Sequence, residues 1–421
     1  MKLKDNIKKC IIWIKACMYN SPFILESKES LNISQDGEMG VTSILYLNDN
    51  SFVKAVAGGY IIYNDGKKEY KILEINGCQD WRGLWKDSSG NVFASPHSTP
   101  SLGEIVPDYR GIYKLDKEQK SFYKVLSLYD KTSVDKQVQE INDDTIWTFC
   151  EDDKHNLYAG VYAHTIRPNP SIYKSCDGGD TWNKIFNFRD TGLCPTGKHI
   201  HSIVFSESDK ALYALVGEVN TLYRSIDGGY SWVDLQVHCE NAKGCSMLPV
   251  EDGIIIGSDD AYECLMSKYY FKTGKIKTKG VTIAGTIFSL RKSDKTDWVY
   301  AFDKIDSSVV VNNYYPPIEA LFDKSILKAW FASKPLYRYR WLSYFFKMRN
   351  KYFDDCVRPQ HCFLLRSKDA GESWELVFKL KTTSKGPNGF WTTGYFRNGE
   401  CVTGFVGTSL RFEAPFRIKE D

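Results

Sequence analysis

The sequence predicts an all-β protein that is built from repeated four-stranded units. Three observations support this prediction: aromatic residues make up 14% of the chain, short alternating apolar runs recur, and one turn motif occurs three times. Aromatic side chains favour the pleated, half-buried surfaces of β-sheets. The chain has 421 residues, of which 43% are hydrophobic and 25% are charged. These ordinary values exclude wholesale disorder, collagen and a polytopic membrane protein.

The repeated motif reads Ser-x-Asp-x-Gly-x-[Thr/Ser]-Trp, and we call each copy a box. Box 1 covers residues 175–182, box 2 covers 225–232 and box 3 covers 367–374. Each box lies between two short apolar runs and therefore predicts the turn of a hairpin. The Asp can accept hydrogen bonds from turn amides, the Gly takes a backbone angle that other residues avoid, and the Trp covers the hairpin base. The residues with these structural roles are Asp177, Gly179, Trp182, Asp227, Gly229, Trp232, Asp369, Gly371 and Trp374.

The strand patterns around the boxes repeat with a period of about 50 residues, which is in the range of β-propeller blades. We expect a propeller over residues 41–412, with seven four-stranded blades; six blades also fit. The predicted blades lie near 41–77, 78–130, 144–190, 198–239, 244–283, 284–382 and 388–412. The penultimate blade is too long, and apolar spacing predicts two helices in an insertion at 313–360. A further basic amphipathic helix is expected at 1–20.

The boxes resemble the Asp-box, or BNR repeat, of sialidase-like β-propellers. In that family the box joins the third and fourth strands of a blade, which implies that the boxes lie on one face of the ring. Asp-box propellers include glycosidases, polysaccharide lyases and non-catalytic assembly factors, so the fold does not determine the function. Sialidases carry the first of three substrate-binding arginines early in the chain. Here no arginine precedes Arg82, so a typical sialidase is not expected.

Propeller geometry predicts a funnel on the face opposite the boxes. The start of each innermost strand and the end of each second strand meet there, and many polar residues occupy these positions. Imidazoles and carboxylates can act as acid and base, and arginines can bind a substrate carboxylate. The candidate catalytic residues are His201, His164, Glu218, Asp259 and Tyr162. The candidate substrate-binding residues are Arg82, His97, Arg167, His199, Asp260 and Asp303.

These residues predict a protein that binds or cleaves a glycan, either an acidic polysaccharide or a lipid-linked sugar. The sequence does not separate a hydrolase from a lyase. The alternative is a non-catalytic scaffold or assembly factor that docks a protein partner. No cofactor, metal ion or nucleic acid is expected. The cysteine and histidine clusters near residues 356–362 and 238–245 lack the paired-ligand spacing of a structural zinc site.

Charge is distributed unevenly along the chain. Residues 1–20 carry five basic and one acidic side chain, and residues 324–353 carry eight basic side chains and no acidic one, interleaved with aromatics. The formal net charge of the whole chain is +3, so the remainder is acidic. Basic and aromatic residues together suit an anionic membrane surface. No secretory signal or spanning segment is apparent, and the twelve cysteines are irregularly spaced. We therefore expect a cytoplasmic protein that associates peripherally with the inner face of the membrane.

Overall fold

The computed structural model shows an all-β chain. It describes residues 41–48, 51–56, 59–75, 78, 80–97, 109–128, 144–163, 168–217, 221–238, 244–258, 264–282, 286–293, 295–304, 361–381, 387–390, 395–397, 400–403, 405–407 and 416–419. The segments predicted as helices, 1–20 and 313–360, lie outside the described residues. The basic segment 324–353 lies outside them as well.

The first three sheets each contain four consecutive antiparallel strands. Blade 1 consists of β1 (Val41–Tyr46), β2 (Phe52–Val56), β3 (Tyr60–Asn64) and β4 (Glu69–Glu74). Blade 2 consists of β5 (Asp80–Lys86), β6 (Val92–His97), β7 (Gly111–Asp116) and β8 (Ser121–Ser127). Blade 3 consists of β9 (Thr145–Glu151), β10 (Leu157–Tyr162), β11 (Ser171–Ser175) and β12 (Asn183–Asn187).

The next three sheets repeat this order. Blade 4 consists of β13 (Ile200–Ser206), β14 (Ala211–Val216), β15 (Thr221–Ser225) and β16 (Val233–His238). Blade 5 consists of β17 (Gly244–Val250), β18 (Gly253–Ser258), β19 (Cys264–Tyr270) and β20 (Lys275–Thr282). Blade 6 consists of β21 (Thr286–Lys292), β22 (Val299–Lys304), β23 (His361–Ser367) and β24 (Glu375–Lys381).

The innermost strands β1, β5, β9, β13, β17 and β21 follow one another in contact, so the sheets are the six blades of a β-propeller. The predicted fold class is confirmed, with the smaller of the two expected blade numbers. Residues 388–412 do not form a blade of their own among the described strands. The five C-terminal strands are β25 (Pro387–Phe390), β26 (Tyr395–Arg397), β27 (Glu400–Thr403), β28 (Phe405–Gly407) and β29 (Phe416–Lys419). Of these, β25 and β28 extend the sheet of blade 6, and β26, β27 and β29 form a separate sheet.

The hydrophobic core lies between neighbouring blades. The second strands β6, β10, β14 and β18 are buried along their whole length, because both of their faces are covered by adjacent sheets. Each of five core clusters contains residues of two successive blades. Phe93 of β6, for example, packs with Phe149 and Trp182 of blade 3. The blades therefore stabilise one another rather than folding around separate cores.

Each innermost strand contains a β-bulge, and in five of the six the bulge lies near the beginning of the strand. The extra residue is Thr42 in β1, Trp147 in β9, His201 in β13, Cys245 in β17 and Phe288 in β21. Strand β5 has one extra residue within 83–84. A bulge bends its strand and redirects a side chain, and bulges are common beside functional sites. Five of the six bulges therefore lie where the innermost strands begin, at the predicted funnel opening.

A hydroxyl side chain follows five of the six bulges, and two of these hydroxyls link neighbouring blades. The hydroxyl of Thr148 accepts a hydrogen bond from the amide of Ile203 at 3.1 Å, which joins blade 3 to blade 4. The hydroxyl of Ser246 donates to the carbonyl of Ile287, which joins blade 5 to blade 6.

The described part of the chain contains no helix long and apolar enough to cross a membrane.

Candidate functional site

Four of the eleven predicted funnel residues have described side chains, namely His97, Tyr162, His199 and His201. All four are buried. Tyr162, His199 and His201 come together where blades 3 and 4 meet. His97 ends β6 in blade 2, and the thiol of Cys78 lies 3.6 Å from its carbonyl oxygen. The structure therefore assembles one compact group from the predicted set.

The other seven predicted residues are described only in part or not at all. Arg82 and Asp303 lie on β5 and β22, where they pair in register with Ser95 and Ile287. The remaining five, His164, Arg167, Glu218, Asp259 and Asp260, lie outside the described residues. The catalytic and substrate-binding roles assigned to all eleven residues stay predictions.

His199 and His201 direct one ring nitrogen each towards the other. Their Nε2 atoms are 3.2 Å apart, and the ring planes are nearly perpendicular at 85°. The Nδ1 atom of His199 lies 2.7 Å from the carbonyl oxygen of Ala163. Because a carbonyl oxygen can only accept, Nδ1 of His199 carries the proton. In the neutral pair Nε2 of His199 is then the acceptor, and Nε2 of His201 donates to it.

Aromatic rings cover the histidine pair on one side. The Tyr162 ring stacks on His199 with centroids 4.0 Å apart, and it meets His201 edge to face at 5.4 Å. The centroids of Trp147 and Tyr162 are 3.9 Å apart. Trp147 is only half-buried, so the cluster has an aromatic surface that solvent reaches. We call Trp147, Tyr162, His199 and His201 the aromatic–histidine cluster.

Gly217, at the end of β14, makes room for the two imidazoles. A Cβ atom there would lie 2.3 Å from Cδ2 of His199 and 2.7 Å from Cδ2 of His201. The Gly217 amide also donates to the His199 carbonyl at 2.8 Å.

The β-bulge at His201 explains how the two histidine rings meet. In a regular strand the Cα atoms of residues i and i+2 are about 6.6 Å apart, and their side chains project in parallel. The bulge at His201 changes that direction, so the two rings can meet.

The residue pattern of the sequence does not predict the parts played by Trp147, Ala163 and Gly217. Trp147 had a detectable signal, because Ile146-Trp147-Thr148 corresponds to Ile200-His201-Ser202 in the next repeat. Both central residues are the bulged residues of their strands. Ala163 acts through its backbone carbonyl, and Gly217 acts through its lack of a side chain. Neither property shows in a search for catalytic residue types.

The boxes lie on the opposite face of the ring, between the third and fourth strands of blades 3, 4 and 6. In box 1 the Asp177 carboxylate accepts hydrogen bonds from the amides of Asp180 and Thr181, each at 3.0 Å. It also accepts from the hydroxyls of Ser175 and Thr181. Burial alone raises the pKa of Asp177, but these hydrogen bonds outweigh burial and lower the pKa to about 2. The carboxylate is therefore ionised at neutral pH and holds the turn together.

The tryptophans of boxes 1 and 2 close their turns in the same way. The indole nitrogen of Trp182 donates to the carbonyl of Gly179 at 3.1 Å, and that of Trp232 donates to Gly229 at 3.0 Å. Burial raises the pKa of Asp227 in box 2, but hydrogen bonds from Ser231 and its neighbours lower it overall. These contacts serve the fold rather than the funnel.

A lysine on the third strand of the preceding blade contacts each box. The three pairs are Lys114–Asp180 at 2.7 Å, Lys174–Tyr230 at 4.9 Å from the ring centroid, and Lys268–Glu372 at 3.2 Å. In every case the partner is the third residue after the Asp of the box. All three lysines are buried. The repeated motif alone does not predict these inter-blade contacts.

Comparisons with known proteins support the fold and not a family. The sequence matches no protein-family model, and no curated protein matches it. The structure is similar to the WD40 β-propeller domain of Doa1, with a TM-score of 0.51 and 9% identity over 89% of this chain and 92% of that chain. It is also similar to the GH74 enzyme of Niastella koreensis, with a TM-score of 0.52 and 12% identity over 92% of this chain and 55% of that chain.

A third similar structure is the extracellular domain of a hybrid two-component system from B. thetaiotaomicron. Its TM-score is 0.52 at 13% identity, over 90% of this chain and 38% of that chain. The chain thus spans about half of the Niastella koreensis structure. It spans a smaller part of the B. thetaiotaomicron structure. At these identities the likeness shows the β-propeller fold alone.

Proposed function

We propose that this chain is a sialidase-like Asp-box propeller that binds an acidic or lipid-linked glycan at its funnel opening. The aromatic–histidine cluster is the observation that carries the proposal. Ligand sites in proteins are mostly lined by apolar and aromatic side chains, with a few polar groups that set orientation. Trp147 and Tyr162 supply aromatic surface, and the imidazoles of His199 and His201 place polar groups beside it. The three boxes support the Asp-box part of the proposal.

The proposal extends to catalysis of the lyase or hydrolase type. A lyase needs a base that removes a proton from the sugar ring, and an imidazole of the histidine pair is the candidate base. A hydrolase needs two carboxyl groups on either side of the scissile bond. The predicted carboxyl pair, Glu218 and Asp259, lies outside the described residues.

The GH74 enzyme of Niastella koreensis has a similar fold, and we therefore expect that this propeller can also carry an enzymatic site.

We also propose that the protein works at the inner face of a membrane. The support is the sequence alone, since residues 1–20 and 324–353 concentrate basic and aromatic side chains.

A glycan array probed with the full chain tests the binding site. We expect acidic glycans to bind the wild type, and to bind His201→Ala and Tyr162→Ala at least tenfold more weakly. Tyr230→Ala is the matched control for Tyr162→Ala, because Tyr230 is an exposed ring on the box face. Absorbance of unsaturated sugar products during digestion of a uronate polysaccharide tests the lyase form. The proposal fails if no glycan binds, or if both funnel variants bind like the wild type.

A second candidate function is a scaffold that docks a protein partner, and an exposed apolar patch favours it. Ile226, Tyr230 and Val233 of blade 4 are 72%, 58% and 65% exposed. Box 3 has Lys368, Glu372 and Glu375 at the matching positions. Replacing the three patch residues with those of box 3 should abolish retention of a partner while leaving glycan binding intact. Retention that survives this replacement would exclude the patch as the docking surface.

A further inference from the structure

The fourth strand of blade 5 concentrates positive charge. Strand β20 contains three lysines and no acidic residue, whereas each of the other five fourth strands has a net charge of −1 or +1 when histidine is neutral. The surrounding segment 264–293 carries seven basic residues and no acidic one. The chain outside 1–20 and 324–353 is acidic overall, so this strip has the opposite charge to the propeller that carries it.

Three exposed lysines of this segment carry charges that the described residues do not neutralise. They are Lys272, in the turn before β20, and Lys275 and Lys277 within the strand, and we call them the rim lysines. None of the three forms an ion pair with a carboxylate in the described part of the chain. Exposed lysines of other blades do form such pairs, as Lys71 does with Glu74 at 3.2 Å. An external anion would therefore meet no competing carboxylate of the described residues at the rim lysines.

The register of β20 places two like charges opposite each other. Lys277 lies directly opposite Lys268 of β19, and like charges at such positions destabilise a sheet. Glu372 of box 3 pairs with Lys268 at 3.2 Å. Lys277 instead lies over the ring of Tyr270, with its ammonium nitrogen 4.8 Å from the ring centroid. An anion bound beside Lys277 would offset the repulsion between the two lysines.

The rim lysines border the outer part of the seam between blades 5 and 6. Lys268 and Tyr270 both contact the carboxylate of Glu372, so this face of β19 is turned towards blade 6. Lys277 and Lys275 are directly opposite these two residues and share their face. Residues two apart in a strand are about 6.6 Å apart, so the charges form a line along the seam. A line of regularly spaced cations fits a linear polyanion, whereas a flat bilayer is matched by cations spread over an area.

Protection of the sheet edge does not account for all the lysines of β20. Lysines on edge strands discourage pairing with other sheets. The fourth strands β8 and β12 contain one lysine each, and β16 contains none. The two additional lysines of β20 therefore exceed what the other blades use at their edges. Repeated charge of one sign along a strand attracts ligands with repeated charge of the other sign.

We infer that the rim lysines bind a linear acidic polysaccharide along the outer seam between blades 5 and 6. Short lysine-rich segments are typical of patches that bind heparin or nucleic acid. The choice of a glycan rests on the proposed function of the funnel. The site itself is separate, because the rim lysines lie at the outermost strand whereas the aromatic–histidine cluster lies on the inner strands. A second site on one long chain raises the local concentration of that chain at the first site.

Binding of the full chain to immobilised polygalacturonate, a linear polymer with a carboxylate on each sugar, tests the inference. We expect the triple variant K272Q, K275Q, K277Q to bind at least tenfold more weakly than the wild type. A matched triple variant removes the same charge from exposed lysines that pair with carboxylates on other blades, and it should bind within twofold of the wild type. Its substitutions are Lys71→Gln, Lys184→Gln and Lys210→Gln.

Two further measurements separate the charge of the rim lysines from any effect on folding. The triple variant K272R, K275R, K277R retains the charge and should bind within twofold of the wild type. Salt screens contacts between charges, so binding of the wild type should weaken as the salt concentration rises. Binding of the triple Gln variant should depend less on salt, because three of these contacts are absent.

The funnel variants distinguish this inference from the proposed function. Loss of binding in the triple Gln variant, with His201→Ala and Tyr162→Ala binding like the wild type, would support the rim site and contradict the funnel site. Wild-type binding by the triple Gln variant would overturn the inference, whatever the funnel variants do. Binding through the rim lysines to polyuridylate or to phosphatidylcholine–phosphatidylserine vesicles, without binding to polygalacturonate, would overturn it as well.

Discussion

The seam between blades 2 and 3 and the seam between blades 3 and 4 use the same positions with different chemistry. At the first seam, Asp180 of box 1 forms a salt bridge with Lys114. At the second, the equivalent residue of box 2 is Tyr230, whose ring lies beneath the ammonium group of Lys174. The lysine and its partner keep their places in both seams. The repeat therefore conserves a contact position, while a carboxylate and an aromatic ring can each fill it.

The two seams also differ in the turns that join the first and second strands of each blade. At the first seam Ser88 and His155 both contact the carboxylate of Glu151. At the second seam Lys210 binds Asp153 at 3.0 Å. Each seam thus has contacts through a box and contacts through a turn. The two blades at each of these seams are therefore joined at two places on this face, so a single contact can vary without separating them.

Glycine packing should separate the two seams most strongly. Gly179 has φ +87°, and a Cβ atom there would lie 2.3 Å from the Phe93 ring, whereas a Cβ atom at Gly229 would meet the flexible end of Ile185 at 2.8 Å. The cost of a left-handed backbone and the cost of a clash in a packed core are added together. We therefore expect Gly179→Ala to lower the free energy of unfolding by about 3 kcal/mol and Gly229→Ala to lower it by about 2 kcal/mol. Urea unfolding measures both.

Gly192→Ala is the control for the backbone contribution. Gly192 has φ +73°, and a Cβ atom there would have no neighbour within 4 Å, so its substitution should cost only about 1 kcal/mol. Equal losses in the three variants would show that packing against the preceding blade contributes nothing.

The turn carboxylates should affect both seams in the same direction. Asp177 accepts hydrogen bonds from two amides and two hydroxyls, so Asp177→Asn should cost about 1–2 kcal/mol at pH 7. The folded-state pKa of Asp177, about 2, is below the unfolded value near 3.9. Its stabilisation is therefore complete above the unfolded pKa and is lost as the pH falls towards 2.

Thermal unfolding of the wild type and Asp177→Asn at several pH values checks this sign. The difference in Tm should be constant from pH 7 to pH 5 and should shrink between pH 4 and pH 2. Asp227→Asn in box 2 should behave in the same way. A difference that grows on acidification would contradict the assignment.

The boxes and the blade period could be predicted because they depend on residues that are distinctive in one dimension. Asp, Gly and Trp at defined spacing specify a turn regardless of what surrounds it. The blade number was harder, because residues 388–412 have the alternation of strands but pair into the sheet of blade 6 and a separate small sheet. Alternation predicts a strand and does not say which sheet it joins.

The candidate site was predicted in part for a similar reason. Tyr162, His199 and His201 are residue types that perform chemistry, and their positions in the repeat placed them at one opening. The contacts that orient them come from a backbone carbonyl at Ala163, an absent side chain at Gly217 and a bulge. None of these is a side-chain property, so no pattern of residue types reveals them. They emerge only when neighbouring blades pack.

Exchanging the partners of the two lysines should make one seam resemble the other. Tyr230→Asp places a carboxylate near Lys174, and Asp180→Tyr removes the salt bridge of Lys114. Partly exposed ion pairs and cation–π contacts have similar strengths, so each change should shift stability by about 0.5 kcal/mol. Salt screens an ion pair, so the difference in the free energy of unfolding between Tyr230→Asp and the wild type should decrease in 1 M salt. Urea unfolding in low and high salt measures this difference. A difference that does not depend on salt would contradict the formation of an ion pair between the new carboxylate and Lys174.

Alkaline pH should weaken the turn contact of one seam and spare that of the other. The hydrogen bond from His155 to Glu151 raises the pKa of His155, and the hydrogen bond from Lys210 to Glu207 raises the pKa of Lys210. A raised folded-state pKa gives stabilisation that is complete below the unfolded pKa and lost as the pH rises through the folded value. The stabilisation by His155 therefore starts to decrease near pH 6.5, whereas the stabilisation by Lys210 starts to decrease near pH 10.4.

The Tm difference between the wild type and His155→Gln should therefore be present at pH 6 and disappear by pH 9. The difference for Lys210→Met should stay constant over the same range, because lysine remains charged throughout. Hydrogen exchange at the Ser88 amide, which donates to Glu151 at 2.7 Å, reports the first seam directly. Faster exchange at pH 9 in the wild type, beyond the intrinsic pH dependence, would show that His155 holds Glu151 in place. If His155→Gln and Lys210→Met had the same pH profile, the two turn contacts would be equivalent and the seams would differ only at their boxes.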